Sequence, residues 1–143
     1  MVKRVFLFLI ILTAILTFIS IAYSQMEKKT VKLPSGELVC DLKGEWNTLY
    51  EHYGPMQWVG NIKGMMMIIQ QGNTFVGKTT TDSGWTPKGT EKIRGELDKD
   101  GIKKVRYSRP DIGWTDAKGE MSKNCDKIVF DDGNGVKVIL ERK

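Results

Sequence analysis

The chain has 143 residues, of which 41% are hydrophobic and 27% are charged, and its formal net charge is +5 at pH 7. This length and balance are those of one globular domain, and they exclude a disordered tail, a collagen-like fibre and a disulfide-dense scaffold. One histidine and two cysteines leave too few side chains for a protein-built metal cluster, and the charge is too small to indicate nucleic-acid binding.

The N-terminus is typical of an export signal. Met1–Arg4 carries two positive charges, Val5–Tyr23 is interrupted only by two threonines and one serine, and small residues stand at Ala22 and Ser24. This pattern predicts a signal helix over residues 1–24 that is cleaved before Gln25, so that the mature protein is periplasmic or secreted. An uncleaved membrane anchor is the alternative, because an apolar stretch of this length just spans a bilayer.

The mature chain divides into an N-terminal arm, residues 25–39, and a domain, residues 40–143. The pattern predicts no regular element for the arm. Cys40 and Cys125 are the two cysteines of the chain. In an exported protein we expect them to form a disulfide, because oxidising compartments preserve such bonds, and two free buried thiols are the alternative.

After Cys40, apolar and polar residues alternate in short runs that are separated by glycine-containing turns, and no segment has a sustained helical period. Eight strands are predicted, at Gly44–Tyr53, Gly64–Gln70, Thr74–Thr80, Glu91–Leu97, Ile102–Tyr107, Ala117–Ser122, Lys127–Phe130 and Val136–Glu141. Eight short antiparallel strands joined by tight turns favour an all-β, up-and-down barrel, which leaves no sheet edge exposed. A two-sheet sandwich is the alternative.

The barrel topology makes its own prediction about the cysteines. In an eight-stranded meander, the start of the first strand and the turn between the sixth and seventh strands lie at the same end. Cys40 immediately precedes the first strand and Cys125 lies in that turn. The meander therefore brings the two cysteines together, which supports both the topology and the disulfide.

The segment Asp41–Trp46 at the start of the first strand resembles the Gly-x-Trp signature of lipocalins and related calycin barrels, through Gly44 and Trp46. The residues Ile69–Gly77 are similar to the second hairpin of small secreted lipocalin-like barrels. The resemblance implies a lipocalin- or avidin-like barrel. It also implies that a basic residue near the end of the last strand, here Arg142, packs over the tryptophan and closes the barrel floor.

A short internal repeat, Asp-x-Gly-Trp-Thr followed by Lys-Gly, occurs at Asp82–Gly89 and again at Asp111–Gly119. We expect both copies in loops at the end of the barrel opposite the cysteines, where the connection between the first two strands also lies. Three tryptophans are therefore predicted at one rim: Trp58, Trp85 and Trp114. They line the mouth of a cavity or, alternatively, plug it.

Beneath this rim we expect polar side chains from the ends of the first and fifth strands, namely Tyr50, His52, Tyr107 and Arg109. Gly77 and Gly95, which alternation turns inward, are expected to leave unfilled volume beside them. An apolar rim above a few polar groups is the composition of a small-molecule pocket.

On the outer surface, Lys92 and Arg94 of the fourth strand and Lys104 and Arg106 of the fifth are expected to form a basic strip. Such a strip is either a solvated face or a contact for an acidic partner or an anionic lipid headgroup.

The sequence indicates a binding protein rather than an enzyme. His52 is the sole histidine and no Gly-x-Ser-x-Gly motif is present, so we expect no catalytic residue, no cofactor and no metal. The predicted function is the binding of a small, largely apolar ligand at the tryptophan-lined mouth of an exported barrel. The alternative is a periplasmic protein-binding module, either an enzyme inhibitor or an envelope interaction protein, that contacts its partner through the arm Gln25–Val39.

Overall fold

The computed structural model of the protein describes residues 29–83 and 86–143. The predicted signal helix at residues 1–24, the beginning of the arm and Trp85 therefore lie outside the described residues. In the part of the chain that is described, no helix is long and apolar enough to cross a membrane.

The described residues form ten strands and one short 3-10 helix, which spans Gly54–Val59. The strands are β1 (Thr30–Lys32), β2 (Leu38–Cys40), β3 (Gly44–His52), β4 (Ile62–Gln71), β5 (Thr74–Thr79), β6 (Glu91–Asp98), β7 (Gly101–Arg109), β8 (Gly113–Met121), β9 (Lys127–Asp131) and β10 (Val136–Arg142). Strands β3 to β10 follow one another around a closed barrel in which β10 pairs antiparallel with β3. The predicted all-β, eight-stranded antiparallel barrel is confirmed, and it is consistent with a calycin-like fold.

The second copy of the internal repeat is not in a loop, and that expectation is wrong. Strand β8 already begins at Gly113, four residues before the predicted start, and Trp114 pairs with Ser108 of β7. The turn between the two strands is therefore short. Gly113 has a φ of 75°, which is the left-handed conformation that lets the chain reverse so soon after Arg109.

The arm contains an element that the sequence pattern did not predict. Strands β1 and β2 form a small antiparallel hairpin, in which Thr30 pairs with Cys40. The side chain of Val39 is almost fully buried, and the backbone N–H of Lys99 in the β6–β7 turn donates a hydrogen bond to Glu37 at 2.7 Å. The hairpin therefore packs on the barrel and covers its closed end.

The floor of the barrel lies at the same end and matches its prediction. Cys40 and Cys125 are bonded, with an S–S distance of 2.03 Å and Cα atoms 5.8 Å apart. The guanidinium of Arg142 lies 4.6 Å from the centre of the Trp46 ring, and it donates hydrogen bonds to the carbonyl oxygens of Asp41, Lys43 and Cys125. The last strand is thereby fixed to the start of the first.

The interior above this floor is filled around the inward glycines, and the expectation of unfilled volume there is wrong. A Cβ atom on Gly77 would lie 2.3 Å from Met66 Sδ and 2.5 Å from Ile93 Cγ1. A Cβ on Gly95 would lie 2.6 Å from the ring of Phe75. These glycines do not leave space, because larger neighbours already occupy it.

Candidate functional site

The opposite end of the barrel holds a cavity of about 330 Å³ that opens to solvent. This volume is at the lower end of the range for small-molecule sites, which is roughly 300–1,000 Å³. The cavity is lined by Tyr50, His52, Met56, Trp58, Val59, Ile62, Ser83, Thr86, Lys92, Tyr107, Arg109, Pro110, Asp111 and Val136. Apolar and aromatic side chains form most of the wall.

The structure brings together five of the seven residues that the sequence predicted for the ligand site: Tyr50, His52, Trp58, Tyr107 and Arg109. Strands β3 and β7 run toward the open end and deliver two residues each, as their order in the meander predicted. The fifth, Trp58, belongs to the 3-10 helix and is 73% exposed, so it lies at the edge of the mouth. Trp85 lies outside the described residues.

Trp114 is not at the mouth, and its predicted place on the rim is wrong. It belongs to the outer face of β8, because alternation along that strand turns Ala117 and Met121 toward the core. The guanidinium of Arg94 stacks 3.6 Å from the centre of its ring. Trp114 therefore covers the neighbouring strands from outside, in contact with the basic strip.

The 3-10 helix that carries Trp58 is anchored on both sides of the mouth. Gly54 and Gly60 stand at its two ends with positive φ values of 51° and 72°. The ring Nδ1–H of His52 donates a hydrogen bond to the carbonyl oxygen of Gly60 at 2.6 Å. The hydroxyl of Tyr53 donates to Asp131 at 2.6 Å, which ties the start of the helix to the end of β9.

Arg109 lies in the cavity wall, but its charge is already neutralised. Its side chain is 5% exposed and donates two hydrogen bonds to Asp111, at 2.9 and 2.6 Å, and one to Asp132 at 3.1 Å. These interactions raise the pKa of Arg109 and lower that of Asp111. Asp132 in turn accepts the backbone N–H of Val136 at 3.0 Å. The network fixes the loops after β7 and β9, and it gives Arg109 a positioning role.

Lys92 is the cavity residue that the sequence pattern placed outside the barrel, and that placement is wrong. Gly77 pairs with Ile93 and Lys78 pairs with Glu91, so Lys92 is an extra residue in β6 that has no partner on β5. Such a β-bulge re-aims a side chain. Lys92 and Ile93, although adjacent, are both buried, and Lys92 is only 4% exposed. Arg94, Lys104 and Arg106 face outward as expected.

The ammonium group of Lys92 has no anionic partner in contact with it among the described residues. It lies 4.8 Å from the centre of the Tyr107 ring, which is a cation–π contact, and it makes no hydrogen bond or ion pair there. Burial lowers its pKa from 10.5 to about 8, and the more distant carboxylate of Asp111 opposes this shift. The cavity thus contains one buried cation whose charge is not locally compensated.

Two phenol groups line the same cavity as this lysine. The rings of Tyr50 and Tyr107 have their centres 6.3 Å apart, and both residues are buried. Burial raises the pKa of Tyr50 to about 12 and raises that of Tyr107 further. Both hydroxyls therefore keep their protons at neutral pH, where a phenol is a hydrogen-bond donor.

The described residues contain no group of three or more histidine, cysteine, aspartate or glutamate side chains that could hold a metal ion. Comparison of the chain with protein-family models, with curated proteins and with solved structures finds no match. What is shown is therefore the closed eight-stranded antiparallel barrel, which is consistent with a calycin-like fold.

The sequence pattern did not reveal the inward position of Lys92 because alternation along β6 is regular. The pattern predicts one polar face, formed by Lys92, Arg94 and Glu96, and one apolar face, formed by Ile93, Gly95 and Leu97. A single inserted residue changes which face a side chain belongs to without changing the pattern. The other missed lining residues lie in the 3-10 helix, in loops or at strand ends, where alternation does not apply; five are apolar, and Ser83, Thr86 and Asp111 are polar.

Proposed function

We propose that the protein binds a small, largely apolar ligand in the cavity at the open end of the barrel. The observation that carries this proposal is the cavity itself, about 330 Å³ in volume, whose wall is mostly apolar and which ends at the exposed indole of Trp58. A concave apolar site with a few convergent polar groups is the usual form of a small-molecule site.

The rest of the barrel supports this role by keeping the cavity in a fixed shape. The lower half is packed around Trp46 and is joined to the hairpin by the Cys40–Cys125 bond. Ligand sites work best when rigid elements hold their walls. The disulfide also supports our proposal that the protein is exported, because such bonds persist in oxidising compartments.

The alternative function, a protein-binding module that uses the arm, has no specific support in the described part of the chain. Residues 30–40 of that region form a hairpin packed on the barrel rather than a free segment. A packed arm favours neither function.

The proposal is tested by blocking the cavity and looking for the ligand by native mass spectrometry of protein purified from its own host. Ile62→Trp places an indole into the mouth, whereas Ile69→Trp puts the same side chain on the exposed face of the same strand. We expect a retained small molecule in the wild type and in Ile69→Trp, and its loss in Ile62→Trp.

A second assay titrates the wild type with a panel of fatty acids, retinoids and haem by calorimetry. Absence of a retained molecule together with no binding across the panel would contradict the proposal, as would a ligand that Ile62→Trp retains at full occupancy.

A further inference from the structure

The described wall of the cavity contains two buried cations, and only one of them is paired with carboxylates. Of its two buried cations, Arg109 is matched by Asp111 and Asp132, each within 3.1 Å. Lys92 has only the face of the Tyr107 ring at 4.8 Å. The described wall therefore presents one buried cation that an incoming group can neutralise.

We infer that the ligand is an amphiphile whose carboxylate head pairs with the ammonium of Lys92, while its apolar tail lies along the cavity wall toward Trp58. This inference rests on the proposed function and specifies the chemical class of its ligand. Lys92 is only 4% exposed but lines the cavity, so that a head group inside the cavity meets its side chain.

A carboxylate fits this position better than the other head groups. A buried ammonium without an anionic partner is costly, and a carboxylate restores the interactions that it lost on leaving water. Tyr50 and Tyr107 line the same cavity from facing strands, with ring centres 6.3 Å apart, and a phenol hydroxyl can donate a hydrogen bond to the second carboxylate oxygen. A neutral head leaves the ammonium unpaired, and a cationic head is repelled by it.

The position of the lysine in the cavity also predicts how binding responds to pH. The ionisable groups that face the cavity are Tyr50 and His52 from β3, Tyr107 and Arg109 from β7, and Asp111 after it. Between pH 8 and 9.5 the two buried phenols keep their protons, and the raised pKa of Arg109 and the lowered pKa of Asp111 keep both of these groups charged. In this window Lys92 is the cavity group that loses charge.

The test uses three probes of equal chain length, decanoate, 1-decanol and decylamine, measured by calorimetry on the purified protein. At pH 7.5 we expect decanoate to bind at least tenfold more tightly than decanol, and decylamine to bind most weakly. Raising the pH from 8 to 9.5 should weaken decanoate binding roughly tenfold, because the ammonium is neutralised, and should leave decanol binding unchanged.

Lys92→Met removes the charge and keeps the length of the side chain, and Lys104→Met is the matched control on the outer face of the adjacent strand. We expect Lys92→Met to abolish the preference for decanoate over decanol while decanol still binds, which shows that the cavity is intact. Lys104→Met should leave the affinities of all three probes unchanged.

The outcomes separate this inference from the proposed function. Equal binding of decanoate and decanol, or decanoate binding that survives Lys92→Met, would overturn the carboxylate inference and leave a neutral-ligand pocket. A molecule retained from the host that has no acidic head would overturn it as well. Failure of all three probes, with no retained molecule, would count against the proposed function itself.

Discussion

Replacing Lys92 by methionine should stabilise the protein at neutral pH, although the substitution removes a side chain from the proposed site. Burial lowers the pKa of Lys92 from 10.5 to about 8. A difference of this size between the unfolded and folded states corresponds to about 3 kcal/mol of destabilisation in the charged form. Because the cavity is open to solvent, we expect a gain of about 2–3 kcal/mol in the unfolding free energy of Lys92→Met at pH 7.

The pH dependence of this stability difference is opposite to that of a lysine paired with a carboxylate, whose pKa is raised by folding. The folded protein holds the proton less tightly than the unfolded chain, so the penalty is fully present below pH 8. Between pH 8 and 10.5 the unfolded chain binds more protons, and the stability of the wild type rises relative to the variant. The advantage of Lys92→Met should therefore fall below about 1 kcal/mol at pH 10.5.

The measurement is urea unfolding followed by far-UV circular dichroism at pH 7, 9 and 10.5, on the wild type and on Lys92→Met. The buried tyrosines also titrate at high pH, but both proteins contain them, so their contribution cancels in the difference. Lys104→Met, which removes an exposed lysine, should change stability by less than about 0.5 kcal/mol. A variant no more stable than the wild type at pH 7, or a gain that persists at pH 10.5, would refute the reasoning.

Three further changes test the frame around the cavity. The double variant Cys40→Ala and Cys125→Ala should lose about 3–4 kcal/mol in denaturant unfolding, because the bond joins residues separated by 85 positions; an unchanged midpoint would contradict this. Arg142→Met should lose about 1–3 kcal/mol in thermal unfolding, because it removes the cation–π contact with Trp46 and hydrogen bonds to three carbonyl oxygens, and Arg142→Lys should restore part of the loss. Gly77→Val should lower the melting temperature, because its Cβ would meet neighbouring side chains at 2.3 Å; a raised melting temperature would show that the space is open.

The barrel was predictable because its sequence signals are local and repeated. Most of the eight strands show alternation, and five of the seven connections between them are turns of two to five residues, which favours the order of a meander. The positions of Cys40 and Cys125 followed from that order alone, and so did the delivery of Tyr50 and Tyr107 to one end.

The features that could not be predicted depend on a single residue or on tertiary packing. The hairpin of β1 and β2 has strands of three residues each, which are too short to show a period, and it is held by the disulfide and by burial against the barrel. The glycine before Trp114 predicts a loop at this position, yet the backbone of Trp114 pairs with β7. The inward turn of Lys92 depends on the offset between two strands, which neither strand shows by itself.

That offset makes a final prediction, which concerns deletion of Lys92 rather than its substitution. Gly77 pairs with Ile93, and Lys78 pairs with Glu91. Removal of Lys92, which lies between Glu91 and Ile93, therefore leaves a regular ladder in which Ile93 still faces inward. We expect the deletion variant to fold cooperatively, with a stability within about 1 kcal/mol of Lys92→Met.

Deletion of Val129 is the control, because the ladders of β9 with β8 and β10 run without interruption. Loss of one residue there moves Ile128 or Phe130 from the core to the surface, and we expect it to cost several kcal/mol or to prevent folding. Near-UV circular dichroism and thermal unfolding measure both variants. If the Lys92 deletion fails to fold while Lys92→Met folds, the bulge is a requirement of the barrel. If the deletion variant folds and has lost its preference for decanoate, the extra residue serves the cavity, since the barrel closes without it.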